Sequence, residues 1–395
     1  MRIEASMQGC SVRWELAPEW PGQIALCSGL MHANPSDPSF GRRLLQDFTS
    51  LLAWKTSGRP WHIPLLASLC VGIPALLGVH FGHFDAGILA SIGAMVVLYM
   101  PHTSIPHRMV TLAVCSLGLT ICFALGVSTS FNPYVSATIL GLTTTLVTLI
   151  TRFYALPPPG SFFFILVVAV AGTLPFNQSL IPTHVGLFVL GGIQSCLLAF
   201  LYSLLVARKA APMPERPARE PRLEWILPDA IVIGLFVGGS LLLAQFLNLH
   251  NPYWVPISCA AILQGATFRA VWRRKIHRII GTAIGMGLVW IIFSLPFNSW
   301  ELVGVIMALN FMIELLVVRN YGLAVIFITP LTVLLAEAST VALAPDQLVQ
   351  ARMFDIVLGS FIGFIGGGIL HHPEILAHFE ARKARKARAY PQEKQ

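Results

Sequence analysis

Where the cations fall constrains this chain more than any other feature. Its 395 residues carry 26 Lys and Arg, parcelled out between long apolar runs, and all of them except Arg352 fall on one side of the resulting ladder. A bilayer core is about 30 Å thick, so a helix rising about 1.5 Å per residue needs roughly 20 apolar residues to cross it. Runs of about that length lie near 61–80, 85–100, 109–127, 132–150, 160–176, 183–206, 225–247, 253–268, 279–297, 300–318, 322–337 and 351–370. They predict an all-α polytopic membrane protein with about twelve transmembrane helices.

The connections give the orientation. Those at 128–131, 177–182 and 248–252 carry no Lys or Arg. The alternate ones hold Arg108, Arg152, the group Arg208, Lys209, Arg216, Arg219 and Arg222, the group Arg269, Arg273, Arg274, Lys275 and Arg278, and Arg319. Six more cations precede the first run and six follow the last. The positive-inside rule then places both termini in the cytoplasm and makes the span count even. Only 11% of residues are charged, against about 25% in a soluble domain, so lipid is the natural solvent for this chain. The net charge of +8 raises a nucleic-acid reading. With no continuous basic face and no recognisable binding module, that reading is excluded.

The expected organisation is a cytoplasmic segment 1–60, a first six-span repeat 61–206, a linker 207–224, a second repeat 225–370 and a basic cytoplasmic tail 371–395. Phe40, Leu44, Leu45, Phe48, Leu51 and Leu52 recur at helical spacing and predict an interfacial helix. No charged start followed by an apolar core is present, so no cleavable signal peptide is expected, and Met31 is an alternative initiator. The repeat is read from spacing. His80 to Arg108 and His250 to Arg278 are segments of equal length offset by 170 residues, and each ends in His-Arg. Arg152-x-Tyr154 recurs as Arg319-x-Tyr321. Six spans is an even number, so the two halves enter from the same side and are parallel.

The second half reads His250-Asn-Pro-Tyr-Trp-Val-Pro, then Ile262-Leu-Gln-Gly, a basic turn, and His277-Arg278-Ile-Ile-Gly281-Thr282-Ala-Ile-Gly285. This pattern resembles the fusaric acid resistance (FUSC) family of aromatic acid exporters and, more distantly, plant aluminium-activated malate channels. The resemblance implies six-span repeats, a bacterial inner membrane and export of small, aromatic organic acids. An organic-anion channel and a non-transport membrane accessory protein are the alternatives. The expected partners are an organic anion and the bilayer; a periplasmic adaptor is compatible with this reading, and the small-residue stripes permit, without requiring, a second copy of the chain.

Ionisable residues at membrane depth cost about 2.5–3.5 kcal/mol each and ask for a reason. Arg278 and Arg108 occupy matching points of the two halves and are expected to face one anion path, or else to be anchors that snorkel to lipid phosphate. Glu314 and Asn310 share a helix face, with Arg319 just beyond. Glu314 reads either as a proton-titrating carboxylate or as a buried ion pair with Arg319 or Arg278. Gln264 could donate to a substrate carboxylate or to a neighbouring helix. Glu337, Arg352 and Asp355 read as a periplasmic ion-pair lock. Asp229 reads as a helix-start carboxylate. The Phe162–Phe164 run is expected to face lipid. Gly281-x-x-x-Gly285 and Gly359-x-x-x-Gly363 read as close helix contacts. The cysteines and histidines show no metal spacing, and no nucleophile set or phosphate loop occurs. No catalytic residue, metal or cofactor is therefore expected, and the chain does not read as an enzyme.

Overall fold

The computed structural model describes residues 59–206, 223–265, 267–337 and 345–371, with the side chains of residues 224, 225, 268, 337 and 345–349 not described. The expected interfacial helix 40–54, the linker 207–222 and the tail from 372 lie outside the described residues. Among the described residues twelve α-helices follow one another, one at each predicted apolar run: α1 (His62–His80), α2 (Phe84–Ala94, extended by a 3-10 turn Met95–Tyr99), α3 (Ile105–Thr129), α4 (Pro133–Phe153), α5 (Phe162–Ala171), α6 (Ile181–Val206), α7 (Leu223–Phe246), α8 (Trp254–Leu263), α9 (Phe268–Ser294), α10 (Ser299–Leu316), α11 (Tyr321–Glu337) and α12 (Pro345–Leu370). No strand occurs among the described residues. The protein is a polytopic, all-helical membrane protein.

Local chemistry sets several boundaries. Pro133 opens α4, where the Asn132 side chain accepts from the backbone N–H of Tyr134 and Val135. Asn298 and Glu301 form a reciprocal capping box at the start of α10. Asn320 caps α11 through the N–H groups of Gly322 and Leu323. Thr267 caps α9 by accepting from Ala270 N–H. That cap starts α9 one residue later, at Phe268, so the cluster Arg269–Arg278 is helical, where a turn was expected.

Eight of these helices are long and apolar enough to cross a membrane. The other four are shorter: Phe84–Tyr99, Phe162–Ala171, Trp254–Leu263 and Tyr321–Ala336. This corrects the expectation of a full-length run at every position. The ten-residue helices α5 and α8 rise only about 15 Å, half a bilayer core. Backbone that stops short at membrane depth must be covered by protein. Accordingly, every residue of α8 is buried. The four short helices are the second and fifth of each run of six, and they meet crosswise, α5 on α8 and α2 on α11.

The other packing pairs are likewise matched. α4 lies on α7 as α10 lies on α1, α2 on α6 as α8 on α12, and α3 on α5 as α9 on α11. Small residues allow the closest of these contacts. Gly93 and Gly191 bring α2 and α6 together so tightly that a Cβ on either would strike a backbone carbonyl, of Phe188 or Ala90. Gly359 stands in the same relation to the Val255 carbonyl of α8, and Gly363 to that of Cys259. Gly281 and Gly285 face Val325 and Thr329 of α11. Around this core the outer faces are also apolar. Along α3, Leu112, Cys115 and Leu119 are buried while Val110, Val114, Leu117 and Ile121 are exposed, as suits a helix whose solvent is lipid. Phe164 departs from the lipid-facing expectation. It is buried against Tyr99, with ring centroids 5.2 Å apart.

Replacing Gly359 by Val forces α12 off the α8 backbone. The expected loss is about 1–3 kcal/mol or more, read as a lower midpoint in a detergent thermal melt. Gly239, with nothing near its Cβ, is the control and should tolerate Ala with little change.

Candidate functional site

Two arginines sit one turn apart on α9 and run antiparallel to α8. Arg274 donates to the Ala261 carbonyl at 3.4 Å, and Arg278 donates to the Ser258 hydroxyl at 3.2 Å. Arg274 also lies over the Tyr321 ring, at 5.6 Å. Lys275 sits between Trp272 and Phe364, 3.9 Å from each ring centre. Arg278 is 6% exposed, and its Nε has no partner. Among the described residues its polar contact is a neutral hydroxyl, with no carboxylate.

Arg108, at the matching place in the first half, is 8% exposed. Its guanidinium donates to the Pro101 carbonyl (3.1 Å), the Thr103 carbonyl (3.3 Å) and the Ser203 hydroxyl (2.7 Å). It pins the turn before α3 to α6, again through neutral acceptors. Each of these two arginines bonds within its own half, so neither is brought to the other by a shared partner.

Glu314 is 6% exposed and pairs with Arg59, Oε2 to Nη2 at 2.8 Å, while Arg59 Nη1 donates to the Glu314 carbonyl. The sequence offered Arg319 or Arg278 as its partner. The partner is instead the residue just before α1, because α10 packs on α1. Arg319 turns back to the Leu315 carbonyl of its own helix end. Asn310, one turn before Glu314, is buried with its Nδ2 unpartnered. Gln264 falls just beyond the end of α8, not inside a span, and its Nε2 is also buried and unpartnered.

A second ion pair ties α4 to α7. Arg152 Nη1 meets Asp229 Oδ2 at 2.5 Å, with both side chains over one-third exposed. Asp229 lies well inside α7, which begins at Leu223, so this pairing replaces the helix-start reading. Arg59 and Asp229 are 170 residues apart, the same offset that relates Arg108 to Arg278. The two residues at this spacing carry opposite charges, although Arg59 precedes α1 and Asp229 lies inside α7. The spacing could have revealed Arg59, but only to a reading that searched the offset for exchanged charges as well as shared residues.

The proposed outer trio is only partly described. Arg352 is buried, donates to Thr332 of α11 at 2.8 Å and lies over the Trp254 ring of α8 at 3.0 Å. Asp355 is buried one turn further on, and the Glu337 side chain lies outside the described ones.

Residues 239–366, from within α7 to within α12, match the family described as fusaric acid resistance protein-like. The matched stretch contains Gln264, Arg278, Asn310, Glu314 and Arg352. A protein of Bacillus subtilis (strain 168) named as an uncharacterized membrane protein, YvaC, is 22% identical, with 79% of this chain and 73% of that one covered. No solved structure matches.

The two ion pairs differ in burial, and so in their contribution. Removing one partner of a buried pair costs about 3–5 kcal/mol, whereas an exposed pair contributes about 0–1 kcal/mol. Arg59 is 20% exposed, so Glu314→Gln is expected near the lower end of the first range. Thermal melts should show a clear drop for Glu314→Gln and almost none for Asp229→Asn.

His102 lies in the turn between the 3-10 segment and α3. Partial desolvation, with the Arg59 and Arg108 guanidiniums close by, holds its pKa below the ordinary histidine value of 6.5. Folding thus favours its neutral form. The resulting stability is present above pH 6.5 and is lost as pH falls through and below that value. His102→Gln should flatten this acid-side decline in melts taken between pH 7 and pH 5.

Proposed function

We propose that the protein is an inner-membrane secondary transporter that exports small organic acids, aromatic ones above all. The reading rests on one observation. Among the described residues, two buried arginines have no carboxylate partner and two buried amides keep an unpartnered donor. Arg108 and Arg278 meet only neutral oxygens, and Arg278 Nε, Gln264 Nε2 and Asn310 Nδ2 have no partner. Nitrogen donors left over in a low-dielectric interior call for an oxygen acceptor, and a guanidinium favours a carboxylate. The family match is consistent with a role in transport. In this reading the two runs of six helices are parallel halves, with both termini cytoplasmic, and the crosswise contacts of the short helices mark the seam between them. Interrupted or short helices at matching places are where such folds build substrate sites.

The inside-negative membrane potential alone pulls an anion outward, by about 2.3 kcal/mol per charge per 100 mV. No phosphate loop is needed to energise export. Glu314 adds a pH response, because it is a carboxylate that can titrate within the domain.

Proteoliposomes loaded with benzoate provide the test. A potential, negative inside, should drive benzoate efflux, and the flux of wild-type protein should depend on pH. Glu314→Gln should remove the pH dependence and leave passive anion movement intact. Absence of flux for benzoate and other aromatic acids would reject the transport reading in favour of an accessory role. Reporters fused at Asn177 or Asn248 should read as external; a cytosolic signal would overturn the assigned orientation.

A further inference from the structure

The junction of α8, α9 and α12 brings three buried polar side chains to one level: Ser258, Arg278 and Ser360. Arg278 Nη2 donates to the Ser258 hydroxyl at 3.2 Å. Ser258 lies directly against α12, where a Cβ on Gly359, the residue before Ser360, would strike its Cβ. α12 runs antiparallel to α9, since Phe364 meets Lys275 at 3.9 Å and Met353 packs on the cluster that holds Met286. Four residues back from Phe364 is Ser360, and four on from Lys275 is Ile279, the neighbour of Arg278. Two donors at this level are open. The Arg278 Nε–H and the Ser360 hydroxyl are shut off from solvent and make no hydrogen bond. Ser258, which accepts from Arg278, also has its own O–H to give. No described carboxylate pairs with Arg278. Asp355 of α12 is five residues before Ser360, about 7–8 Å along the axis.

The first half closes the matching contacts with its own backbone. Ser195 of α6 donates to the Ala94 carbonyl of α2 at 2.8 Å, Ser91 of α2 to the Val71 carbonyl at 2.7 Å, and Arg108 Nε to the Pro101 carbonyl at 3.1 Å. Open donors around a buried guanidinium are thus particular to the second half. We propose that Arg278, Ser258 and Ser360 bind one small inorganic monovalent anion, chloride being the common one, as a resident counter-ion. An anion that accepts from the Nε–H and the two hydroxyls neutralises the guanidinium and satisfies all three donors at once. Size follows from the glycines. α12 closes on α8 at Gly359 and Gly363 with no space for a Cβ, and so with none for an aromatic ring. The inference goes beyond the transport reading, and it leaves Arg108, Gln264 and Asn310 to a transported acid.

The experiment is thermal melting of the full chain in detergent as chloride replaces gluconate at constant ionic strength. Chloride should raise the wild-type midpoint progressively once its concentration passes the dissociation constant. Ser360→Ala should weaken the apparent chloride affinity about tenfold, and Arg278→Gln should abolish the response. Asp229→Asn, at the exposed ion pair, should keep the wild-type response. Benzoate carries the same charge on a ring and should give no rise that depends on Ser360. Equal midpoints in chloride and gluconate, or a chloride response that Ser360→Ala leaves unchanged, overturns the proposal. A Ser360-dependent benzoate response as large as that of chloride overturns the inorganic assignment and returns Arg278 to the substrate path. If Arg278→Gln fails to give monodisperse protein, the comparison of Ser360→Ala with wild type decides alone. The two readings fail separately. A chloride response without benzoate flux in liposomes keeps the site and rejects transport; flux without a chloride response keeps transport and rejects the site.

Discussion

A guanidinium taken out of water has to keep an oxygen beside it. That requirement runs through the whole bundle. Arg108 is held by two carbonyls and a serine, Arg278 by a serine, Arg274 by the carbonyl of Ala261, Arg319 by its own helix end, and Arg352 by a threonine and the face of Trp254. Most of these acceptors are neutral, so they satisfy hydrogen-bonding geometry without cancelling charge. In the proposed transport reading, an anion passing Arg108 and Arg278 would meet donors without a deep well that would trap it, the compromise that conduction requires.

The matched helix pairs make the departures from symmetry informative. Arg59, just before α1, and Asp229, inside α7, carry opposite charges, and the helices packed against them answer with Glu314 and Arg152. Both pairs tie a helix of one run of six to a helix of the other, α1 to α10 and α7 to α4. The first pair is buried and the second is exposed. Two clamps of equal strength would resist separation evenly. The exposed pair exchanges with water at almost no cost, whereas the buried one loses a charge partner when opened.

All twelve helices could be read in the sequence, because apolar length and loop charge are coarse signals that survive any detail of packing. Lengths were less legible. α5 and α8 read as longer runs because apolar residues continue past the helix ends. The loss of helix after Leu263 is set by tertiary cover, which hydropathy does not report. The site was legible in its members but less so in its partners. Arg278, Arg108, Asn310 and Glu314 stand out as polar groups in apolar runs. Arg59 does not, since it sits among other cations ahead of α1, and only the packing of α10 on α1 makes it Glu314's partner. Arg319 illustrates the converse. It is close to Glu314 in sequence, yet its guanidinium turns to Leu315, the nearer acceptor at the end of its own helix.

The short helices explain how such a site can exist inside lipid. An unsatisfied backbone group costs several kcal/mol in hydrocarbon, so non-helical chain at depth needs a protein shell. Here that shell comes from glycine. Gly359 and Gly363 let α12 close over α8, and Gly93 and Gly191 let α2 and α6 do the same. With the shell in place the chain just past α8 can present polar groups: Gln264 Nε2 is left over, and the Gly265 carbonyl meets His371 at 3.2 Å. Close packing by small residues and buried, unpartnered donors at helix ends are thus one construction. The first removes lipid from the short helices, and the second uses the polar backbone and side chains that lipid would otherwise forbid.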